Sequence, residues 1–324
     1  MVHNVALVLG GGGAAGNAWT IGVVAGLAEA GVDMTEAADL IIGTSSGATA
    51  AAQARSGAPP AELLASVLAP PVQPVGQNRG PPPSLPMAAV FERMRAISAT
   101  AASAADLQRA MGAFGLESDA ILGPSAREQR RATVAARLPR RDWPDRPIMV
   151  VAVDAHTGEL AKFTRDSGVD LVDAVTASTA MPGLTPTHRI NGAHYINGGV
   201  RSPDNADLAS GYANVVVLSP LSGRSGPLPE GQFEGLLRPP GVDLASQAEA
   251  LRRQGSRVEV ITPDADSRAA MGVNQMDPAT RIPSARAGFA QGRQEAARLA
   301  FLGRLSTVED GREGRGLRNG AVNR

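Results

Sequence analysis

Twice near its start the chain runs from a short apolar segment through a glycine turn into a stretch of small residues. No other feature constrains its fold as much. Val5-Ala6-Leu7-Val8-Leu9 leads into Gly10-Gly11-Gly12-Gly13-Ala14-Ala15-Gly16, and Leu40-Ile41-Ile42 leads into Gly43-Thr44-Ser45-Ser46-Gly47 and the helix-prone residues 48–55. A strand buried on both faces reads as a continuous apolar run, and a glycine turn from such a run into a helix is the joint of a strand–helix unit. In the second unit the turn is Gly-x-Ser-x-Gly, the pattern of a nucleophile elbow. Its glycines let the backbone turn sharply while the Ser45 hydroxyl stays exposed above a helix N-terminus. The first loop can offer amide N–H groups to a developing oxyanion. The two together suggest a serine acyl hydrolase.

The same alternation continues along the chain. Strands are expected at 5–9, 38–42, 147–154, 215–218 and 257–261, with a hairpin arm at 159–164 returning from the Asp154-Ala155-His156-Thr157-Gly158 turn. Helices are expected at 18–30, after the elbow, and at 61–68, 87–112, 125–138, 169–179, 244–254 and 285–302. Strands alternating with helices imply a three-layer α/β/α fold around a mostly parallel central sheet. Ligands of such sheets sit at the carboxyl ends of the strands, where both glycine loops fall. We expect one α/β domain over residues 1–305, with a Pro-rich loop at 70–86, a flap at 223–240 and a disordered tail at 306–324.

Composition excludes several classes. At 324 residues and 43% hydrophobic content a large core forms without disulfides, and with no cysteine there is neither a thiolate metal site nor a Cys nucleophile. Basic and acidic residues number 31 each and aromatics are 3%, so neither a phosphate-backbone field nor a base-stacking platform is present, and no nucleic-acid partner is expected. The N-terminus lacks a basic region and no run reaches the roughly 18 apolar residues of a membrane span. A cytoplasmic protein is the expectation, with peripheral membrane contact left open.

The glycine pattern Gly11, Gly13, Gly16 also fits a dinucleotide-binding turn, or a tight βα turn with no ligand. The first needs an acidic residue closing the second strand, but Asp33 precedes that strand and Gly43-Thr44-Ser45 ends it. A P-loop is excluded because no Gly-Lys-Ser/Thr follows. No organic cofactor and no metal is implied. A nucleophilic Ser45 needs a base, and the ordinary hydrolase order is Ser, acid, His. The four histidines are His3, His156, His188 and His194, so none lies beyond residue 194 and that triad layout is ruled out. His188, expected on a loop, and His194 read as polar surface residues. Asp204 reads as a turn or cap, and Asp154 and Glu159 as turn residues.

At this point the sequence resembles the patatin-like phospholipase family, whose members use a Ser–Asp dyad, a glycine-rich oxyanion loop and no catalytic His. The residues carrying the resemblance are Gly11 to Gly16, Gly43 to Gly47, and a third block. That block runs Val-Asp-Ala-His-Thr-Gly-Glu from Val153, then Ala177-Ser178-Thr179-Ala180-Met181-Pro182-Gly183, Ile190-Asn191-Gly192, Tyr195-Ile196-Asn197-Gly198-Gly199-Val200 and Pro203-Asp204-Asn205-Ala206-Asp207-Leu208. The resemblance spans roughly residues 5–220; residues 221–324 add little to it. It implies Ser45 as nucleophile, position 197 as its base, and the N–H groups of Gly11, Gly12 and Gly13 as the oxyanion hole. Gly16, Gly43, Gly47, Gly198 and Gly199 are motif glycines.

Two positions depart from the family pattern. Ala15 stands where Arg or Lys is common, which leaves backbone donors intact. Asn197 stands where the family has Asp, and an amide has no usable basicity. Three readings of Asn197 stay open: an engineered inactivation, a natural residue in an acyl-binding homologue or one using another base, and an Asn-Gly pair that deamidates to the acid. The resemblance implies a phospholipid, acylglycerol or smaller acyl ester as substrate. The alternatives are a non-catalytic acyl-ligand-binding protein, an acyltransferase, or a biosynthetic hydrolase acting on a non-lipid acyl group. Residues 70–86 and the helix carrying Met87, Met94 and Met111 are candidate walls for an acyl pocket.

Overall fold

The computed structural model describes residues 4–69, 85–222 and 242–313, with side chains described to residue 302 in the last helix. The expected loop at 70–86 falls mostly outside these residues, and the expected flap at 223–240 falls wholly outside them. The strands are β1 (Val5–Leu9), β2 (Leu40–Thr44), β3 (Ile148–Asp154), β4 (Leu160–Phe163), β5 (His188–Ile190), β6 (Ala193–Asn197), β7 (Asn214–Leu218) and β8 (Arg257–Ile261). The helices are α1 (Gly13–Glu29), α2 (Met34–Ala37), α3 (Ser46–Ala54), α4 (Pro60–Leu68), α5 (Met87–Thr100), α6 (Ala104–Ala135), α7 (Leu171–Ser178), α8 (Leu244–Arg253), α9 (Ala265–Met271) and α10 (Arg281–Glu313).

All eight strands join one sheet in the order β5-β6-β3-β2-β1-β7-β8, with β4 also paired to β3. β1, β2, β3, β7 and β8 are mutually parallel, and β4, β5 and β6 form the antiparallel part. This is the α/β architecture that the strand–helix alternation predicts. Alternate residues of each strand serve different faces. Leu7, Leu9, Ile41, Val150, Val216 and Leu218 pack under α1, α3, α4, α7 and α10, whereas Ala6, Val8, Ile42, Val151, Val215 and Val217 pack against Ala248 and Leu251 of α8. Helices thus cover both faces, which is why the parallel strands carry no polar alternation.

Several boundaries differ from expectation. α1 starts at Gly13, because the glycine loop passes straight into the helix. The expected helix at 87–112 is broken at Ala101–Ser103, where the Ser103 side chain accepts the Asp106 N–H and starts α6 as an N-cap. α6 itself kinks at Gly123, whose φ of 75° precedes Pro124. α10 continues to Glu313, past the start of the expected tail, of which residues 314–324 lie outside the described residues. The β5–β6 hairpin is an addition to the expected strands, and His188 lies on β5, not on a loop. No helix among the described residues is long and apolar enough to cross a membrane.

Candidate active site

Three strands bring the site together, and β3 is their common gauge. Thr44, the last residue of β2, pairs with Val151. The next residue of β3, Ala152, pairs with Asn197, the last residue of β6, and with Ala161 of β4 on its other edge. β6 therefore takes over the edge of β3 at the point where β2 leaves it. Ser45 turns out of the sheet there, and Asn197 arrives there from the opposite direction.

The Ser45 backbone has φ 57° and ψ −122°, the strained turn of an elbow, which for a non-glycine residue costs roughly 1–3 kcal/mol. Its N–H donates to the Ser178 hydroxyl at 2.9 Å, and its carbonyl accepts from Ala48 as α3 begins. The glycines of the motif make room. A Cβ on Gly47 would lie 2.0 Å from the Leu9 carbonyl oxygen, and one on Gly43 would lie 2.6 Å from the Ala48 Cα. On the partner side, a Cβ on Gly198 would lie 2.4 Å from the Val151 carbonyl oxygen.

The Asn197 side chain is 1% exposed and reaches Ser45: Nδ2 donates to Ser45 Oγ at 2.9 Å. Its other end accepts the Gly199 N–H on Oδ1 at 2.7 Å. A backbone N–H can only donate, so Gly199 dictates which way the amide faces and leaves the NH₂ toward the serine. The Asn197 backbone is tied in turn to the Ala180 carbonyl. Asn205, buried and at φ 53°, donates to Thr44 Oγ1 and to the Ser202 and Gly198 carbonyls, so one amide joins the end of β2 to the turn after β6.

The first glycine loop runs beside Ser45, whose Cβ a Cβ on Gly11 would meet at 3.3 Å. Its three amides are not equivalent. Gly11 N–H donates to the Pro203 carbonyl at 2.8 Å, so in this conformation it is occupied. The Gly12 and Gly13 N–H groups have no acceptor among the described residues and sit at the N-terminus of α1, where the helix field favours negative charge. Gly16 lies one turn on, with a Cβ position 3.0 Å from Pro220.

The remaining candidates are placed elsewhere. His188 is buried and bonded to Asp173 at 2.9 Å, which also pairs with Arg131. His194 Nδ1 shares the Thr187 hydroxyl with Asp119. Neither histidine is bonded to Ser45, and neither is the free surface residue that its sequence context suggested. Asp204 is 1% exposed and packs where a Gly10 side chain would be, so it is no exposed cap. Asp154 does hold its turn, accepting from His156 and Thr157. Met94 and Met111 are sealed in a small core with Val90, Leu107, Phe114 and Ile196, while Met87 stays exposed. Among the described residues no group of three or more His, Asp or Glu is placed to hold a metal ion.

The patatin-like phospholipase model matches residues 7–210, which takes in both glycine loops, Ser45 and Asn197. The chain belongs to the patatin-like phospholipase family. Members of the family are ester hydrolases that act on lipids. VipD from Legionella pneumophila is a similar solved structure, at 13% identity and a TM-score of 0.45, with 92% of this chain and 67% of VipD covered. No curated protein matches the chain.

Contacts that sequence reading missed include the Ser178 hydroxyl on the Ser45 N–H and the carbonyl of Gln275 on the Ala15 N–H at 3.0 Å. Ser178 lies inside the Ala177–Gly183 motif but carries no chemical signature of its own. Gln275 lies beyond the family-matched residues and offers only its backbone.

Proposed function

We propose that this chain is a serine acyl-ester hydrolase of patatin type, held nearly idle by the amide at position 197. The observation that carries this reading is the 2.9 Å contact from Asn197 Nδ2 to Ser45 Oγ. In the working form a carboxylate at 197 would keep the Gly199 N–H on one oxygen and accept the Ser45 proton on the other. Ser45 would attack the ester carbonyl, the Gly12 and Gly13 amides would hold the oxyanion, and the carboxylate would return its proton to the leaving alcohol. With the amide present, the contact runs the other way. Asn197 donates to Oγ, so it steadies the oxygen but cannot take its proton. Residues 1–305 would act as one unit, since β7 and β8 extend the sheet and α10 packs on α1.

The same donated hydrogen bond favours a second reading, in which a natural Asn197 makes the chain a non-catalytic acyl-ligand-binding protein. Hydrolysis of p-nitrophenyl butyrate by the Asn197→Asp protein decides between them. The hydrolase reading expects a gain of about 10² to 10⁴ in kcat/KM, lost again when Ser45→Ala is added. An Asp form that stays inert across chain lengths, yet still binds an acyl ester, gives the second reading the field. Deamidation is tested by the mass of the peptide carrying Asn197 after ageing; an unchanged mass removes that route.

A further inference from the structure

Beside the glycine loop the protein leaves apolar side chains open to solvent. Among the described residues five large hydrophobic side chains stand exposed: Met87, Ile121, Leu221, Val273 and Met276. One exposed apolar residue is ordinary, but three of these five lie on the two segments that touch the loop. Pro220, just before Leu221, packs where a Cβ on Gly12 would be, 2.6 Å from its own Cβ. Met276 reaches the next residue of the loop. A Cβ on Gly13 would lie 2.9 Å from the Met276 sulfur and 2.8 Å from the Gln275 carbonyl oxygen. Both segments lie outside residues 7–210, the span that the family model matches.

The turn that carries Met276 joins α9 to α10 and has a firm backbone. It starts at Gly272, whose φ of 63° ends α9. Asn274 accepts the Met276 N–H on its side chain at 3.1 Å and the Asp277 N–H on its carbonyl at 3.0 Å. The Asp277 side chain accepts the Ala279 N–H at 2.9 Å, and the Gln275 carbonyl takes the Ala15 N–H of α1 at 3.0 Å. On this fixed backbone the Met276 residue is 49% exposed, whereas Met271, five residues earlier, is 1% exposed in the main core. A thioether on an unbranched stem has three rotatable bonds and moulds itself to an apolar neighbour.

An ester whose carbonyl oxygen rests on the Gly12 and Gly13 amides therefore has the Met276 side chain beside it. Residue 197 returns its proton to the leaving alcohol, so the alcohol departs on the Asn197 side of Ser45. The acyl chain takes the other direction from the carbonyl carbon, past Gly13. Met94 and Met111, the expected walls of an acyl pocket, are sealed in a core of their own. We propose that Met276 is a specificity-determining residue, which together with Leu221 forms the wall along which the aliphatic acyl chain lies. That the acyl chain and not the alcohol lies there rests on the hydrolase reading.

The native chain leaves an ester intact in that reading, so binding is measured without turnover. Calorimetric titration with ethyl butyrate and ethyl hexanoate should show the longer acyl chain bound roughly tenfold tighter, for its two further methylenes. Met276→Ser should shrink that ratio to about threefold or less, and Met276→Leu should keep it. Met276 is half exposed, so neither substitution threatens the fold. Absence of ester binding, or a ratio that Met276→Ser leaves unchanged, overturns the proposal. Met276→Ser weakening hexyl acetate while sparing ethyl hexanoate also overturns it, because the wall then serves the alcohol. In the Asn197→Asp background, Met276→Ser should lower kcat/KM for p-nitrophenyl hexanoate roughly tenfold more than for p-nitrophenyl acetate. An Asn197→Asp protein that hydrolyses nothing, with the binding ratio still set by residue 276, sinks the hydrolase reading and leaves the wall standing. Hydrolysis whose chain-length preference ignores residue 276 does the reverse.

Discussion

Exchanging the Asn197 amide nitrogen for oxygen leaves its neighbours where they are, because the Gly199 N–H holds one end of the side chain and Ser45 Oγ meets the other. Only the direction of the second hydrogen bond reverses. The backbone around it is less tolerant. Ser178 is fully buried and its hydroxyl is the acceptor for the Ser45 N–H. Ser178→Ala would leave that amide unpaired, and we expect a stability loss of about 1–3 kcal/mol, read as a lower urea midpoint, and in the Asn197→Asp background a turnover below that of Asn197→Asp alone. Gly47→Ala should do worse. Its Cβ would sit 2.0 Å from the Leu9 carbonyl oxygen, and a helix that cannot approach β1 cannot place the elbow. A loss beyond about 3 kcal/mol is expected, and a soluble Gly47→Ala protein with an unshifted midpoint would contradict this packing.

Among the elements, α1 and α10 show how far contacts can reach along the chain. Gly22 and Gly26 of α1 face Ala285 and Phe289, and Gly288 and Gly292 of α10 face Trp19 and Val23, each with a backbone atom where a Cβ would be. The helices meet backbone to backbone, and Trp19 Nε1 donates to Gln291 Oε1 across the joint at 3.0 Å. Gly26→Ala would drive a methyl to 2.2 Å from the Phe289 carbonyl oxygen, forcing the helices apart at a cost of several kcal/mol; thermal unfolding of that variant measures it. Local signals such as the elbow, the glycine loop and the Asp154 turn are legible in the sequence because their chemistry lies within a few residues. Asn197 beside Ser45 comes only through the family resemblance, since no spacing rule joins residues that meet across a shared strand edge. The glycines of α10 read as composition alone until their partners are known. The Ala101–Ser103 break inside the expected long helix is hidden because small residues suit helix and turn alike.

For the whole molecule, acid should loosen the fold through its buried histidines. His188 is 8% exposed and burial holds its imidazole below the usual value, although the Asp173 bond pulls the other way. His194 is lowered in the same direction, first by burial, against the raising effect of Asp119. As pH falls through about 6.5 the unfolded chain gains protons that the folded chain refuses, so stability declines toward the lowered folded values. Asp173 contributes only further down: burial would raise its carboxyl, but the Arg131 and His188 bonds outweigh that and hold it below the ordinary carboxylate value. Urea midpoints at pH 7.5 and 5.5 should therefore differ in the native chain and differ by less in a His188→Gln variant, where His194 remains; an equal gap in both proteins would rule out His188 as a source. The α1–α10 joint has a consequence in time. On the ribosome the helix that follows the glycine loop emerges long before its mate, which begins only at Arg281. Until then α1, buried along most of its length in the finished protein, lacks the helix that closes over Gly22 and Gly26, and the amides at its tip have a looser footing. In the Asn197→Asp background, a nascent chain stalled before that point should carry its serine and hydrolyse nothing.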